Sequence, residues 1–311
     1  MSSLLTTVFV VFGYIFLGFL IKKINYISEK FFVFYNFISF NLLLPIALIT
    51  NFWIISFPQL IVNKLILTFF GTGIIIFIIG FFTSKKLFYF KTDESAVFGL
   101  GSCFGNSVAF GIPLMYSILG PIDVMPYMIL VLFHGLIHFT YTTIIIEWYR
   151  NRTLPNLKLI LKTIIGLLKN IVLFGMFLGL FLNASNISMP YTLGILLIPL
   201  SKIALPAVLI SLGITLGKFK VFHKISHAIA LTILKNFLQP IIAFIMAKYI
   251  FFMPSLFIII VTLASALPSG SQTYYFSYRY NSLQQTITSN IVLSTFVSFF
   301  TLSFLIIIFG Y

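Results

Sequence analysis

The sequence predicts an all-α membrane protein of ten transmembrane helices, arranged as an inverted 5+5 repeat with spans 4 and 9 broken where they cross. Three observations predict it. Of 311 residues, 60% are hydrophobic and 8% charged, at a mean hydropathy of +1.13. That is more apolar surface than a soluble domain of this size buries, so the solvent is a bilayer. Apolar windows of about twenty residues recur ten times. Two of those windows contain clusters of glycine, proline and amide or hydroxyl residues that a continuous helix tolerates poorly.

The windows fall at 4–21, 31–50, 61–82, 95–118, 124–148, 168–185, 191–216, 227–250, 255–278 and 286–310. Residues 1–9 carry no basic side chain, and Lys22 and Lys23 follow the first apolar run. That order predicts a retained first span rather than a cleaved signal. Basic residues then alternate in density from loop to loop. Lys22, Lys23 and Lys30 follow span 1, Lys85, Lys86 and Lys91 span 3, and Arg150, Arg152, Lys158, Lys162 and Lys169 span 5. Lys218, Lys220 and Lys224 follow span 7, and Arg279 span 9, whereas the alternate loops hold Lys64 and Lys248. Cytoplasmic loops collect Lys and Arg, so the bias places both termini on the non-cytoplasmic side of a cell (inner) membrane. The same loops account for the formal charge of +14. Charged residues are too sparse for a nucleic-acid binder. Cys103, the single cysteine, rules out an internal disulfide and reads as a small packed residue.

The chain divides into a first five-helix repeat (1–150), a cytoplasmic interfacial linker (151–167) and a second, inverted repeat (168–311). In and just after the linker, Lys158, Lys162 and Lys169 share one helical face opposite leucines and isoleucines, the pattern of a helix lying on anionic lipid. The halves resemble each other. VFGYIFLGFL (11–20) matches LFGMFLGLFL (173–182), FNLLLPIALI (40–49) matches SKIALPAVLI (201–210), and 128–146 matches 290–308, at offsets of 162, 161 and 162. Five spans is an odd number, so the second copy enters from the opposite side. Inverted repeats with interrupted helices are a common plan of secondary transporters.

The interruptions are LGSCFGNSVAFGIPLMYSILG (100–120) and LASALPSGSQTYYFSYRY (263–280). Backbone groups freed at membrane depth must be satisfied by protein or by a polar cavity, which makes both breaks candidate ligand sites.

Gly105-Asn106 followed by Gly111-Ile112-Pro113, Pro268 followed by small residues, Pro45 and Pro206 in spans 2 and 7, and Lys235 before Pro240 together resemble the auxin efflux carrier family, over the whole chain. That family includes plant auxin carriers and bacterial malonate and malate carriers. The resemblance implies a crossover fold with a scaffold part and a transport part, an organic-acid substrate and a homodimer. The long cytoplasmic loop of the long plant carriers is missing, so the chain looks like the compact bacterial type.

An anion needs donors near the midplane. The five acids, Glu29, Asp93, Glu94, Asp123 and Glu147, all fall in loops or at span ends, which weakens any reading as a cation exchanger. Backbone carbonyls at the breaks leave coupling to a proton or sodium open. The candidate substrate-binding residues are Asn106, Ser107, Gly111 and Pro113 at the first break and Pro268, Ser269, Gly270 and Ser271 at the second. A half-helix starting near Gly111 would aim its N–H groups into the crossing. Asn41 and Lys202 stand four residues before Pro45 and Pro206, and Lys202 lies deep in a span with no acid to pair it. Both are further candidates for binding substrate. Lys235 is nearer a span end and is expected to snorkel. His134 and His138 are four apart on one face and read as a structural pair or proton relay. With Lys202 and Lys235 they are the candidates for proton or ion coupling. No third residue turns the histidines into a metal site, no nucleotide-binding loop or other cofactor motif is present, and no catalytic set lies inside the membrane. The expected function is a secondary transporter of a small organic anion; the alternatives are a channel or solute-sensing receptor on the same frame, or an ion-coupled symporter of another solute.

Overall fold

The computed structural model describes residues 2–24, 27–54, 62–151, 161, 165, 171–219 and 224–310. The linker 151–167 lies almost wholly outside the described residues, as do Lys158, Lys162 and Lys169. The described chain is helical. In order the helices are α1 (Ser2–Lys23), α2 (Glu29–Trp53), α3 (Val62–Leu87), α4 (Thr92–Cys103), α5 (Ser107–Asp123) and α6 (Met125–Asn151). Then follow α7 (Ile171–Ala184), α8 (Tyr191–Lys218), α9 (Ile225–Ile250), α10 (Ser255–Ala266), α11 (Gln272–Arg279) and α12 (Gln284–Ile308).

Among the described residues, seven helices are long and apolar enough to cross a membrane: α1, α2, α3, α6, α8, α9 and α12. The windows at 95–118 and 255–278 are each divided, into α4 and α5 and into α10 and α11. At 1.5 Å per residue, the twelve residues of α4 or of α10 reach about 18 Å, short of a hydrocarbon core of about 30 Å. Local signals set the ends. Ser28 Oγ accepts from the Phe31 N–H and starts α2, while Glu94 Oε2 accepts from the Lys91 N–H and, with Asp93, starts α4. Gly120, at φ +77°, bends α5 ahead of Pro121.

The helices pack as two groups. In one, α1 lies along α8, and α2 lies against α7 and α8. Small residues let the backbones close in. A side chain on Gly18 of α1 would overlap the Ile210 carbonyl of α8, and one on Gly213 of α8 would overlap the Ile15 carbonyl of α1. In the other group, α3 packs on α4, α4 on α6, α9 on α10 and α12. Every residue of α4 from Ser95 to Cys103 is buried, as is most of α10, so these two short helices form the centre of that group.

Candidate functional site at the helix crossing

The first interruption is short. The chain leaves α4 at Phe104 in an extended conformation (φ −81°, ψ 111°), turns at Asn106 (φ −78°, ψ 62°) and re-enters helix at Ser107. Pro113 is not the breaker: it sits in the first turn of α-helix after a π turn over Ser107–Gly111, where its missing N–H is tolerated. The half-helix therefore starts four residues earlier than the Gly111 start expected from sequence. The second interruption runs from Leu267 (φ −57°, ψ 148°) to Ser271.

The two interruptions cross and bond to each other. Gly105 lies opposite Ser269 as an antiparallel bridge. The Asn106 N–H donates to the Pro268 carbonyl at 2.7 Å, and the Gly270 N–H donates to the Phe104 carbonyl at 2.9 Å. Each break frees main-chain groups, and two of these bonds satisfy them reciprocally. The approach is close: a Cβ on Gly270 would lie 2.7 Å from the Phe104 ring and 2.9 Å from the Gly105 carbonyl. Only a residue without a side chain fits there.

Side chains from α6, α9 and α12 complete the crossing. Asn290 Nδ2 donates to Ser269 Oγ (2.8 Å) and the Gly101 carbonyl (3.3 Å), and Ser294 Oγ accepts the Ser269 N–H (2.9 Å). Gln239 Nε2 donates to the Cys103 carbonyl at 3.1 Å. Lys235, fully buried, donates from Nζ to the Ser265 carbonyl at 2.6 Å. Tyr127 Oη donates to the Ser107 carbonyl at 2.6 Å. His134 Nε2 lies 3.2 Å from the Gly105 carbonyl; a carbonyl only accepts, so this nitrogen donates. By the same argument His138 Nδ1 donates to the His134 carbonyl at 2.9 Å.

Beside the crossing is a cavity of about 80 Å³ lined by Phe104, Gly105, Ser107, His134 and Gln272, with Leu173 contributed by α7 of the other helix group. Asn106 Oδ1, His134 Nδ1 and Gln272 Oε1 are buried without a hydrogen-bond partner among the described residues. A larger polar cavity, about 440 Å³, lies at the ends of α4, α9 and α12 around Glu94 and His227 and shares no lining residue with the crossing.

A family model described as membrane transport protein matches residues 3–306. The chain belongs to this family, the auxin efflux carriers. A search of curated proteins returned no match. As an auxin efflux carrier family member the chain is a multi-pass membrane transporter, which implies a bilayer around it and a small-molecule substrate.

In this family member the structure gathers Asn106, Ser107, Gly111, Pro268, Ser269 and Gly270 at one place, all buried. Pro113 is one turn along α5, and Ser271 is half-buried at the start of α11. Asn41 and Lys202 are elsewhere. Asn41 is exposed and bonds the Phe37 carbonyl of its own helix at 3.1 Å. Lys202 is exposed because α8 turns Ser201, Ala204, Val208 and Leu212 inward. Lys235 reverses its expectation: it does not snorkel but points to the crossing. The His134 and His138 rings lie 4.6 Å apart between centroids, tilted by 48°, and His134 touches the break itself. Asn290, Ser294, Gln239 and Tyr127 join the site without being among the sequence candidates. For three of them the signal is spacing: Thr232, Lys235, Asn236 and Gln239 on α9, and Thr286, Asn290, Ser294 and Ser298 on α12, are buried polar stripes at helical intervals.

Proposed function

We propose that this transporter carries a small organic anion by alternating access around the crossing of α4–α5 with α10–α11. Counting each interrupted pair as one span gives ten, and the repeat offsets of about 162 residues support an inverted 5+5 plan. The bias of basic residues supports both termini on the non-cytoplasmic side. The reciprocal backbone bonds of the two breaks carry the reading, because they fix a polar crossing next to a cavity that touches both helix groups.

The donors suit an anion. The first N–H groups of α5, at Val108 and Ala109, have no preceding turn to donate to, and the start of that helix, Ser107 and Val108, lines the cavity together with Gln272. A cavity of about 80 Å³ is far below the roughly 300–1,000 Å³ of drug-sized pockets, which favours a malonate- or malate-sized carboxylate over an aromatic auxin-like acid.

The test is counterflow in proteoliposomes loaded with unlabelled acid. Saturable, transient accumulation of labelled malonate or malate is the expected result. Downhill flux without counterflow would mean a channel, and binding without flux a sensor. No counterflow with malonate, malate or indole-3-acetate would end the anion reading.

A further inference from the structure

The larger cavity, about 440 Å³, is built where three helices begin. Lys91, Lys224 and Leu283 are the residues that precede the first turns of α4, α9 and α12. A helix start is the positive end of its dipole and leaves its first N–H groups without partners in the helix. The three starts differ. Asp93 and Glu94 stand in the first turn of α4, and Glu94 Oε2 accepts the Lys91 N–H at 2.9 Å. The starts of α9 and α12 carry neither an acid in the first turn nor a capping side chain. Gln284, Gln285 and Thr286, whose N–H groups have no preceding turn to donate to, line the cavity.

Side chains in the wall point to a ligand independently. Ser282 lines the cavity and is only 5% exposed, yet its hydroxyl has no hydrogen-bond partner among the described residues. Its N–H donates to the Ser277 carbonyl at 2.9 Å, so the backbone there is fixed and the hydroxyl is spare. His227 rests its ring on Phe88 and Phe90, at 4.3 and 5.1 Å between centroids, and its Nδ1 is likewise buried and unpartnered among the described residues. Buried polar atoms without partners are costly, so a ligand that supplies partners is stabilising. Lys224 gives the wall an ammonium and Glu94 a carboxylate. Among the described residues neither forms an ion pair. The cavity therefore offers a cluster of donors and, apart from it, one free negative charge.

We propose that this cavity binds a zwitterion of the phosphoethanolamine type, with its phosphoryl oxygens at the start of α12, the Ser282 hydroxyl and Lys224, and its ammonium on Glu94. A phosphoryl group has three terminal oxygens and suits that many donors better than a carboxylate with two. Glu94 repels an anion that brings no ammonium, so the site discriminates as well as attracts. The volume falls within the roughly 300–1,000 Å³ of small-molecule pockets. The chemistry is that of a soluble compound or of a lipid headgroup. Lys91, Lys224 and Arg279 stand in the loops that lead into α4, α9 and α12, on the side proposed above as cytoplasmic. Both α4 and α12 also reach the crossing, where Asn290 donates to the Gly101 carbonyl, so a bound zwitterion braces that helix group from its end. The inference does not rest on the anion-carrier reading.

The experiment uses the full chain in phosphatidylcholine nanodiscs, whose quaternary headgroup has no N–H to give Glu94. Thermal melting is titrated with O-phosphoethanolamine, inorganic phosphate and ethanolamine. Wild type is expected to be stabilised saturably by O-phosphoethanolamine, with an apparent Kd at least about tenfold below that of either fragment, because joining two contacts in one molecule makes the second intramolecular. Glu94→Gln keeps an amide oxygen to cap α4 and is expected to lose that advantage, binding O-phosphoethanolamine no better than phosphate. Ser282→Ala is expected to weaken both. Nanodiscs of phosphatidylethanolamine assign the source. If the lipid fills the cavity, wild type melts higher there than in phosphatidylcholine, Glu94→Gln does not, and the free compound adds nothing further. If a soluble compound is the ligand, its titration is the same in both bilayers.

Wild type that responds neither to O-phosphoethanolamine nor to the change of bilayer overturns the proposal. Inorganic phosphate binding as tightly as O-phosphoethanolamine overturns it too, since the site is then a plain anion site. So does a folded Glu94→Gln that behaves like wild type. If neither variant folds, the three wild-type titrations still decide.

Discussion

Replacing Gly270 with alanine tests the crossing most directly. The added Cβ would sit 2.7 and 2.8 Å from two atoms of the Phe104 ring and 2.9 Å from the Gly105 carbonyl. A ring can rotate, but the carbonyl is main chain and belongs to the opposing strand of the bridge. The strands must therefore part. Parting them threatens the Asn106–Pro268 and Gly270–Phe104 bonds, of 2.7 and 2.9 Å. A buried main-chain group left unpaired costs about 1–3 kcal/mol, so two lost bonds amount to about 2–6 kcal/mol. At about 1.4 kcal/mol per tenfold, the lower figure reduces the population of the bridged state roughly 30-fold. The assay is thermal melting together with counterflow, with Gly13→Ala as the control. A Cβ added at Gly13 would meet nothing within 4 Å, and a helical glycine-to-alanine change there should be neutral or stabilising by about 0.5–1 kcal/mol. A Gly270→Ala protein that melts and transports like the control would show that the bridge is not what holds the two breaks together.

Asn290→Ala removes the donor to Ser269 Oγ and to the Gly101 carbonyl, and should destabilise the protein by about 1–3 kcal/mol in melting experiments; an unchanged melting curve would count against the α12 stripe as a support. Lys202→Met should leave uptake within about twofold of wild type, as expected of an exposed residue away from special features; a tenfold loss would return Lys202 to the transport path. Gly18→Leu forces a side chain into the Ile210 carbonyl and should cost about 1–3 kcal/mol or more as overpacking, seen as a shift in fluorescence-detected size exclusion after heating; retention of a wild-type profile would refute the close α1–α8 contact.

The breaks are legible in the sequence because their signals are local. Gly105-Asn106 and Pro268-Ser269-Gly270 disfavour helix wherever they occur, and the structure interrupts both windows at those residues. Gly111 and Pro113 mislead by one turn, because proline in a first turn starts a helix as readily as it breaks one. The partners of the breaks are harder to read. Depth along a span is the sequence measure for Lys202 and Lys235, and depth does not give direction. Direction follows from neighbours three and four residues away: Lys202 follows exposed Ile198 and Pro199, whereas Lys235 shares a buried stripe with Thr232 and Gln239. The bond from His134 to the Gly105 carbonyl has no sequence signal, since it joins residues whose proximity exists only once α6 packs on α4.

The placement of directional and non-directional contacts bears on how such a molecule would move. Arg150 holds Asp93 (2.8 and 3.0 Å) and the Tyr280 carbonyl (2.8 Å), tying α6 to the start of α4 and the end of α11. Glu29 holds Lys22 at 2.6 Å and Lys218 at 2.5 Å, tying α1, α2 and α8. Neither cluster links α1, α2, α7 or α8 to α3, α4, α6, α9, α10 or α12. Contacts between the groups are instead largely aromatic and aliphatic: Phe12 of α1 meets Phe110 of α5 at 5.1 Å and Phe299 of α12 at 5.0 Å. A side-chain hydrogen bond that does cross, Tyr116 to Asn51, is long at 3.4 Å. Hydrophobic contact is non-directional and survives sliding, whereas ion pairs and short hydrogen bonds do not. Rocking one group against the other would therefore keep both clusters and the backbone bridge intact, and would change mainly the apolar seam and the cavity that Leu173 shares with Gly105, Ser107 and His134. Under the proposed rocking motion the crossing would move as a unit, and its partners from α6, α9 and α12 would keep it rigid within its own group.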